Sequence, residues 1–273
     1  MQIECSPLAI YAINNLTMRI SDSGYVVTDD HWRSSNVCSP YSRLYLVTAG
    51  SGELETNGVV IPMTAGHAYL VPAGLTFGYR SPSGLEKLYF HITLQQPNGF
   101  ELLTSVKRIL QVKMDVDQMQ QMRALYRTPD WTRAFLLDGA VRGAIAALLR
   151  SGALPDLPVA QYSEPVTRAI AYIRAHLSLQ LSESSIAAQL FLSESQLARR
   201  FREEVGCTIS RYIDDLIYFE AELQLAADTH TIGEISESLG FCDQFYFSRR
   251  FRQRHGVTPR EYRARLRAET YGG

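Results

Sequence analysis

No stretch of the 273-residue sequence approaches the ~18–20 consecutive apolar residues that a membrane-spanning helix requires. The opening Met1-Gln2-Ile3-Glu4-Cys5 has no basic flank of the kind that precedes a secretory signal, so the expectation is a cytoplasmic protein with no membrane partner. Cys5, Cys38, Cys207 and Cys242 are scattered without a C-x-x-C pair, which suits reduced, packing cysteines. Lysine is scarce: Lys87, Lys107 and Lys113 are the only three, and none follows Ser163. A net charge of −1 gives no bulk sign of a polyanionic partner.

What is present is unevenly placed. The length favours two ordinary domains, and 46% hydrophobic with 20% charged residues fits globular cores. From Ser163 onward there are 14 arginines against 15 acidic residues, but the arginines cluster. Between Gln244 and Arg267 stand eight arginines and one acid, Glu261. A local patch of this kind matters more than net charge for meeting phosphate.

Residues 1–98 read as β-rich. Runs at 43–47, 68–71 and 88–92 are β-branched or aromatic, separated by turn signals at Ala49-Gly50-Ser51-Gly52, Asn57-Gly58, Pro72-Ala73-Gly74 and Ser81-Pro82-Ser83-Gly84. Asn57-Gly58 is a strong hairpin signal, because both residues tolerate the positive φ of a type I′ turn. From Gly99 the pattern becomes helical, with helices expected at 100–110, 116–126 and 131–150. In the last, Phe135, Leu136, Val141, Ile145, Leu148 and Leu149 are expected to form one apolar stripe. Residues 151–162, with a glycine and two prolines, suit a linker. Beyond it, Pro165 stands in a first turn, and Val166, Ala169, Ile170, Ile173 and Leu177 form one face. Capping boxes are expected at Ser193–Gln196, Thr231–Glu234 and Thr258–Glu261, and helix stops at Gly206, Gly240 and Gly256.

The C-terminal segment repeats at a spacing of 50: Arg199-Arg200-Phe201-Arg202 matches Arg249-Arg250-Phe251-Arg252, and Gly206, Thr208 and Tyr212 match Gly256, Thr258 and Tyr262. Ile186 and Leu190 match Ile235 and Leu239 at 49, so the second turn carries one inserted residue. Each copy reads as a short helix, a tight turn and a second helix, the geometry of DNA-reading helix-turn-helix units. Leu197, Phe201 and Val205, and then Phe247 and Phe251, mark the buried faces. Ser195, Gln196 and Arg199, and then Gln244, Phe245 and Arg249, are left exposed. Arginine can bond guanine bidentately, glutamine can do so to adenine, and an aromatic can meet a thymine methyl. A tandem helical repeat with a solvated arginine face is the alternative that spacing alone leaves open.

Gly240-Phe241-Cys242-Asp243-Gln244-Phe245-Tyr246-Phe247-Ser248-Arg249-Arg250-Phe251-Arg252, continued by Gly256-Val257-Thr258-Pro259 and Tyr262-Arg263, resembles the signature of AraC/XylS-type regulators. Ser193, Leu197, Phe201 and Gly206 match the first unit, and the resemblance covers about residues 164–266. It implies two recognition helices in successive major-groove segments, held by a helix at 209–227. It makes Ser195, Ala198 and Arg199, then Gln244, Phe245 and Arg249, the base-facing residues. Gln196, Arg200 and Arg250 complete the expected DNA-binding set, Arg200 and Arg250 being, with Arg202, Arg252 and Arg254, phosphate contacts or solvated side chains. Ile217 stands where the family often has arginine, and Phe245 where it has a small polar residue.

Many members of that family carry a cupin-like barrel in front. Gly66, Pro72, Gly74 and Phe77 are similar to the second cupin motif, but Phe77 stands where that motif ends in histidine, and no His-x-His occurs. Three converging ligands for a catalytic metal are therefore not in view, and no cofactor is expected. Arg43, Tyr45 and Val47 share one strand face, and Tyr89, His91 and Thr93 share another. With Tyr41, Tyr79 and Trp32 these are pocket-lining candidates, the ligand-binding set being Trp32, Arg43, Tyr45, Tyr79, Tyr89 and His91. Such a lining suits a sugar or a small aromatic acid.

The expectation is an α+β chain: a cupin-like sensor barrel at 1–98, a helical and dimer-forming segment at 99–150, a linker at 151–162, and an all-α double helix-turn-helix domain at 163–269. It is expected to be a non-enzymatic, sequence-specific transcription regulator acting on double-stranded DNA as a homodimer, under a small-molecule effector, with RNA polymerase as a further candidate partner. The alternatives are an N-terminal half that serves only dimerisation or partner binding, and a metal-dependent cupin enzyme fused to a DNA tether.

Overall fold

The computed structural model describes residues 6–127, 130–152 and 161–271. The chain divides into two compact units, one built on Met18–Leu94 and Glu101–Leu157, the other on Pro158–Leu266 with Gln95–Phe100. Most of the expected linker, and Cys5, lie outside the described residues. The fold is α+β.

Helix α1 (Pro7–Asn15), which groups with the helical unit, opens the segment read as β-rich; Ser6 caps it, and Pro7 starts it. The first unit is then an antiparallel array. Its strands are β1 (Thr17–Val27), β2 (Arg33–Val37), β3 (Ser42–Thr56), β4 (Val59–Thr64), β5 (His67–Val71), β6 (Phe77–Arg80), β7 (Leu85–Gln95) and β8 (Leu110–Lys113). The main path runs β1-β7-β3-β5-β8, while the far half of β3 pairs with β4 and β6, and β2 with β6. The Ala49–Gly52 segment is not a turn. It lies inside β3, next to a bulge between Val47 and Ala49, where the strand passes from one set of partners to the other. Gly50 makes the passage feasible: its φ is +73°, and a Cβ would lie 2.4 Å from the Gly84 carbonyl oxygen. Asn57 and Gly58 form the expected hairpin between β3 and β4, both with positive φ.

Period-two alternation sorts the strands into two cores. Leu44, Leu46, Leu70, Leu88, Phe90 and Ile92 face outward onto α2 (Val116–Arg127) and α3 (Trp131–Ser151), meeting Met119, Met122, Val141, Ile145 and Leu148. Tyr45, Val47, Tyr69, Val71, Phe77, Tyr79 and Trp32 face inward into the barrel core. Instead of a helix at 100–110 there is a short 3-10 turn, Leu102–Ser105, followed by β8, which pairs with β5. Phe135 and Leu136 also depart from the expected stripe. They are exposed, because the buried face of α3 turns through Val141, Ala144, Ile145 and Leu148.

The second unit is helical: α4 (Glu164–Ala175), α5 (Glu183–Gln189), α6 (Glu194–Val205), α7 (Ile209–Ala227), α8 (Ile232–Ser238), α9 (Gln244–His255) and α10 (Pro259–Tyr271). One core joins Val166, Ile170 and Ile173 of α4 to Ile186, Phe201, Tyr212, Ile217, Ile235, Phe247 and Phe251. Ile217 is fully buried there, which accounts for an apolar residue at that position of α7.

Candidate nucleic-acid interface and ligand site

The two helix pairs, α5–α6 and α8–α9, are built alike. Helix α5 ends with Leu190 as C-cap and Phe191 in the left-handed region at φ +56°; the Phe191 N–H donates to Ala188 O and the Leu192 N–H to Ala187 O. Helix α8 ends on Leu239 with Gly240 at φ +79°, and the Gly240 and Phe241 N–H groups donate to Glu237 O and Ser236 O. Cys242 is the inserted residue of the second turn. The helix entrances differ more. Asp243 caps α9, accepting from the backbone N–H of Phe245 and Tyr246, bonds that hold its carboxyl below the usual carboxylate range. Ser193 makes no side-chain cap to α6 and meets Ser195 Oγ instead, so the capping box expected there does not form. The boxes at Thr231/Glu234 and Thr258/Glu261 do form, and a further one at Ser182/Ser185 escaped sequence reasoning because a serine stands where glutamate or glutamine is usual.

Each second helix buries Leu197 and Phe201, or Phe247 and Phe251, and turns its other face to solvent. Ser195, Gln196, Arg199 and Arg200 are exposed on α6, and Gln244, Phe245 and Arg249 on α9; Ala198 is half-buried. Phe245 is 72% exposed, an apolar ring in solvent that no packing within the chain explains. Arg250 is placed differently. It is half-buried and bonds Asp214 at 2.8 Å, and Arg254 reaches Asp214 and Asp215 at 3.3 and 2.6 Å. These two arginines pin α9 to α7, and Arg250 keeps part of its side chain open to solvent. What remains on α9 is a cationic helix without an acid, whereas α6 balances Arg199, Arg200 and Arg202 with Glu194, Glu203 and Glu204.

Inside the barrel, register brings the predicted ligand residues together. Arg43 pairs across with His91, Tyr45 with Tyr89, and Val47 with Lys87, so the faces read separately from the two strands form one inward surface. Trp32 stacks on Tyr79 at 4.3 Å between ring centroids and meets Tyr45 edge-on, while His91 stacks on Tyr41 at 4.5 Å. The Arg43 guanidinium donates to Ser39 Oγ and Tyr41 Oη and faces the Phe77 ring. Phe77 thus packs on a cation where the cupin motif would place a metal-ligating histidine. Asp22 of β1 lies 3.4 Å from His91 Nδ1, and burial pushes its carboxyl up. Sequence reasoning passed over Lys87. It is buried, with Nζ 3.6 Å over the Trp32 ring and 4.1 Å over that of Tyr45. Burial first, then the charge of Arg43, push the Lys87 ammonium well down, and burial holds His91 neutral. The signal was in the sequence, since Lys87, Tyr89 and His91 alternate along one strand. Among the described residues only Asp29, Asp30 and His31, all exposed, group as metal ligands could.

Residues 186–265 match the family model for a helix-turn-helix domain. The chain is 27% identical over 245 residues to the HTH-type transcriptional activator RhaR of Pectobacterium carotovorum, covering 83% of this chain and 84% of that one. It is 34% identical over 100 residues to the arabinose operon regulatory protein of Escherichia coli, 36% of this chain and 34% of the relative. Among solved structures, the C-terminal domain of AraT, a response regulator from Geobacillus stearothermophilus, is 31% identical, covering 38% of this chain and 87% of that one at a TM-score of 0.36. These relatives are regulators, not enzymes. With two like-built helix-turn-helix units, the signature residues on α9, the family-model match and the sequence relatives, the chain belongs to the AraC-type family of DNA-binding transcription regulators.

Proposed function

We propose that this regulator acts in the cytoplasm under a small-molecule effector held in the barrel. The observation that carries this reading is the inward surface of polar and aromatic groups, Arg43, Tyr45, Tyr89 and His91 on paired strands with Trp32 and Tyr79, in place of an aliphatic core. Aromatic rings with a few convergent polar groups are what ligand pockets use for orientation and specificity. Matched relatives named for the arabinose and xylose operons favour a sugar-like effector. The effector acts by binding two arrangements of the chain with different affinity.

On the DNA side, Ser195, Gln196, Ala198 and Arg199 of α6 and Gln244, Phe245 and Arg249 of α9 read base edges, and Arg200 meets phosphate. A second copy pairs through α3. Trp131, Phe135 and Leu136 stand exposed at its start, and a Cβ on Gly139 or Gly143 would meet nothing within 4 Å, leaving room for a close helix. The test is selection of bound duplexes from a random pool, followed by anisotropy titration of the selected duplex with and without arabinose, xylose, rhamnose and small organic acids. The reading predicts a dimer on sedimentation and a change of DNA affinity with at least one compound. A monomer indifferent to every compound would contradict it.

A further inference from the structure

We infer that the effector is a small carboxylate anion, seated by Lys87 and Arg43 inside the barrel. This rests on the reading of the barrel as the effector site and narrows the ligand's chemistry. The inward face carries Arg43, a fixed cation, and Lys87, whose ammonium is disfavoured by burial and by Arg43; Asp22 is the carboxylate that acts on Arg43. Asp22 also touches His91 and Tyr89. Lys87 has no such partner: among the described residues no carboxylate lies within ion-pair distance of its Nζ, and the one charge acting on it is the repulsive charge of Arg43. The rings of Trp32 and Tyr45 face the ammonium.

In these surroundings the ammonium is costly to hold charged, and an apolar side chain would fill the position better if packing were its purpose. The other two lysines, Lys107 and Lys113, are both exposed, so burial is particular to Lys87. The cross-strand ladder sets Lys87 two positions along from the Tyr45–Tyr89 pair and four from Arg43–His91, with every one of these side chains on the inward face. Protonated, Lys87 carries one positive charge that Asp22 does not offset. That suits a monoanion, and a carboxylate offers two oxygens to an ammonium and a planar guanidinium at once, whereas a phosphate brings a second charge that nothing balances. The carboxylate of a sugar acid and that of an aromatic acid share this chemistry.

The test is thermal unfolding of the full chain with matched acid and neutral pairs, galacturonate against galactose and benzoate against benzyl alcohol, at constant ionic strength. The expected result is stabilisation by galacturonate or benzoate, absent with its neutral partner. Lys87→Met should weaken that acid's apparent affinity about tenfold or more, the loss expected for one charge-assisted bond. Lys87→Gln carries the same comparison if the methionine variant does not fold. Equal stabilisation by acid and neutral partner, equal response of wild type and Lys87→Met, or no response to either acid would each overturn the anion assignment. Barrel binding of a neutral effector would survive if galactose or benzyl alcohol stabilises both proteins alike, which separates failure of the charge argument from failure of the effector reading.

Discussion

The two helix-turn-helix units share one backbone plan and differ in almost everything that would touch DNA. Helix α9 carries four arginines and no acid, while α6 carries three of each sign. The second entrance is capped by Asp243 and the first lacks a side-chain cap. The left-handed turn position holds Gly240 in one unit and Phe191 in the other. The two units thus keep the geometry that places a helix while the charges carried by the two helices differ, α9 being the more cationic even with Arg250 and Arg254 paired to Asp214 and Asp215.

The turn position offers the largest break of this comparison. Gly240→Ala puts a Cβ 2.1 Å from Ser178 Oγ and 3.2 Å from the Leu179 nitrogen at a positive φ, and should destabilise the second unit by about 2–5 kcal/mol in denaturant unfolding. Phe191→Gly at the equivalent place should instead stabilise by about 1 kcal/mol, since it relieves left-handed strain on a side chain that is 93% exposed. Loss of stability in both variants would mean that the two turns are not equivalent.

The second unit also has a pH sensitivity that the first lacks, because Glu222 and His255 lie 3.5 Å apart where the first repeat has Val205. Burial pushes Glu222 up to about 7 and, for the same reason, His255 down to about 4. The folded state therefore holds the Glu222 proton longer than the unfolded chain, and this contribution is lost as pH rises from about 4.5 to 7. The His255 contribution runs the other way, lost as pH falls from 6.5 toward 4. The two offset each other in wild type. Glu222→Gln removes the falling limb, and should gain about 3 kcal/mol on wild type between pH 4.5 and 8, measured by urea unfolding across that range. A constant difference between the two proteins would refute the titration.

The smallest of these effects concerns reading itself. Arg249→Ala should cost about 1–3 kcal/mol of discrimination between selected and random duplex, and Arg199→Ala less. Equal loss on both DNAs would make Arg249 a phosphate contact.

The double helix-turn-helix was legible because its signals are local: the 50-residue repeat, the Thr231/Glu234 and Thr258/Glu261 caps and the stop glycines all act within a few residues. What was not legible depended on distant partners. Residues 100–110 read as helical, yet they hold only a 3-10 turn, and β5 recruits 110–113 as a strand. The glycines at 50 and 52 look like a turn until β3 is seen changing partners. The ion pair of Arg250 with Asp214, 36 residues earlier, had no local signal. Lys87 was missed because its phase with Tyr89 and His91 gains meaning only when β3 is set beside β7.

The most direct test of unequal reading heads is the affinity of the full chain for its selected duplex when each half-site is scrambled in turn, over a range of salt. Scrambling the half-site under α9 is expected to weaken binding more, with the steeper salt dependence following α9 as well. Equal losses at the two half-sites, or a larger loss under α6, would contradict that expectation.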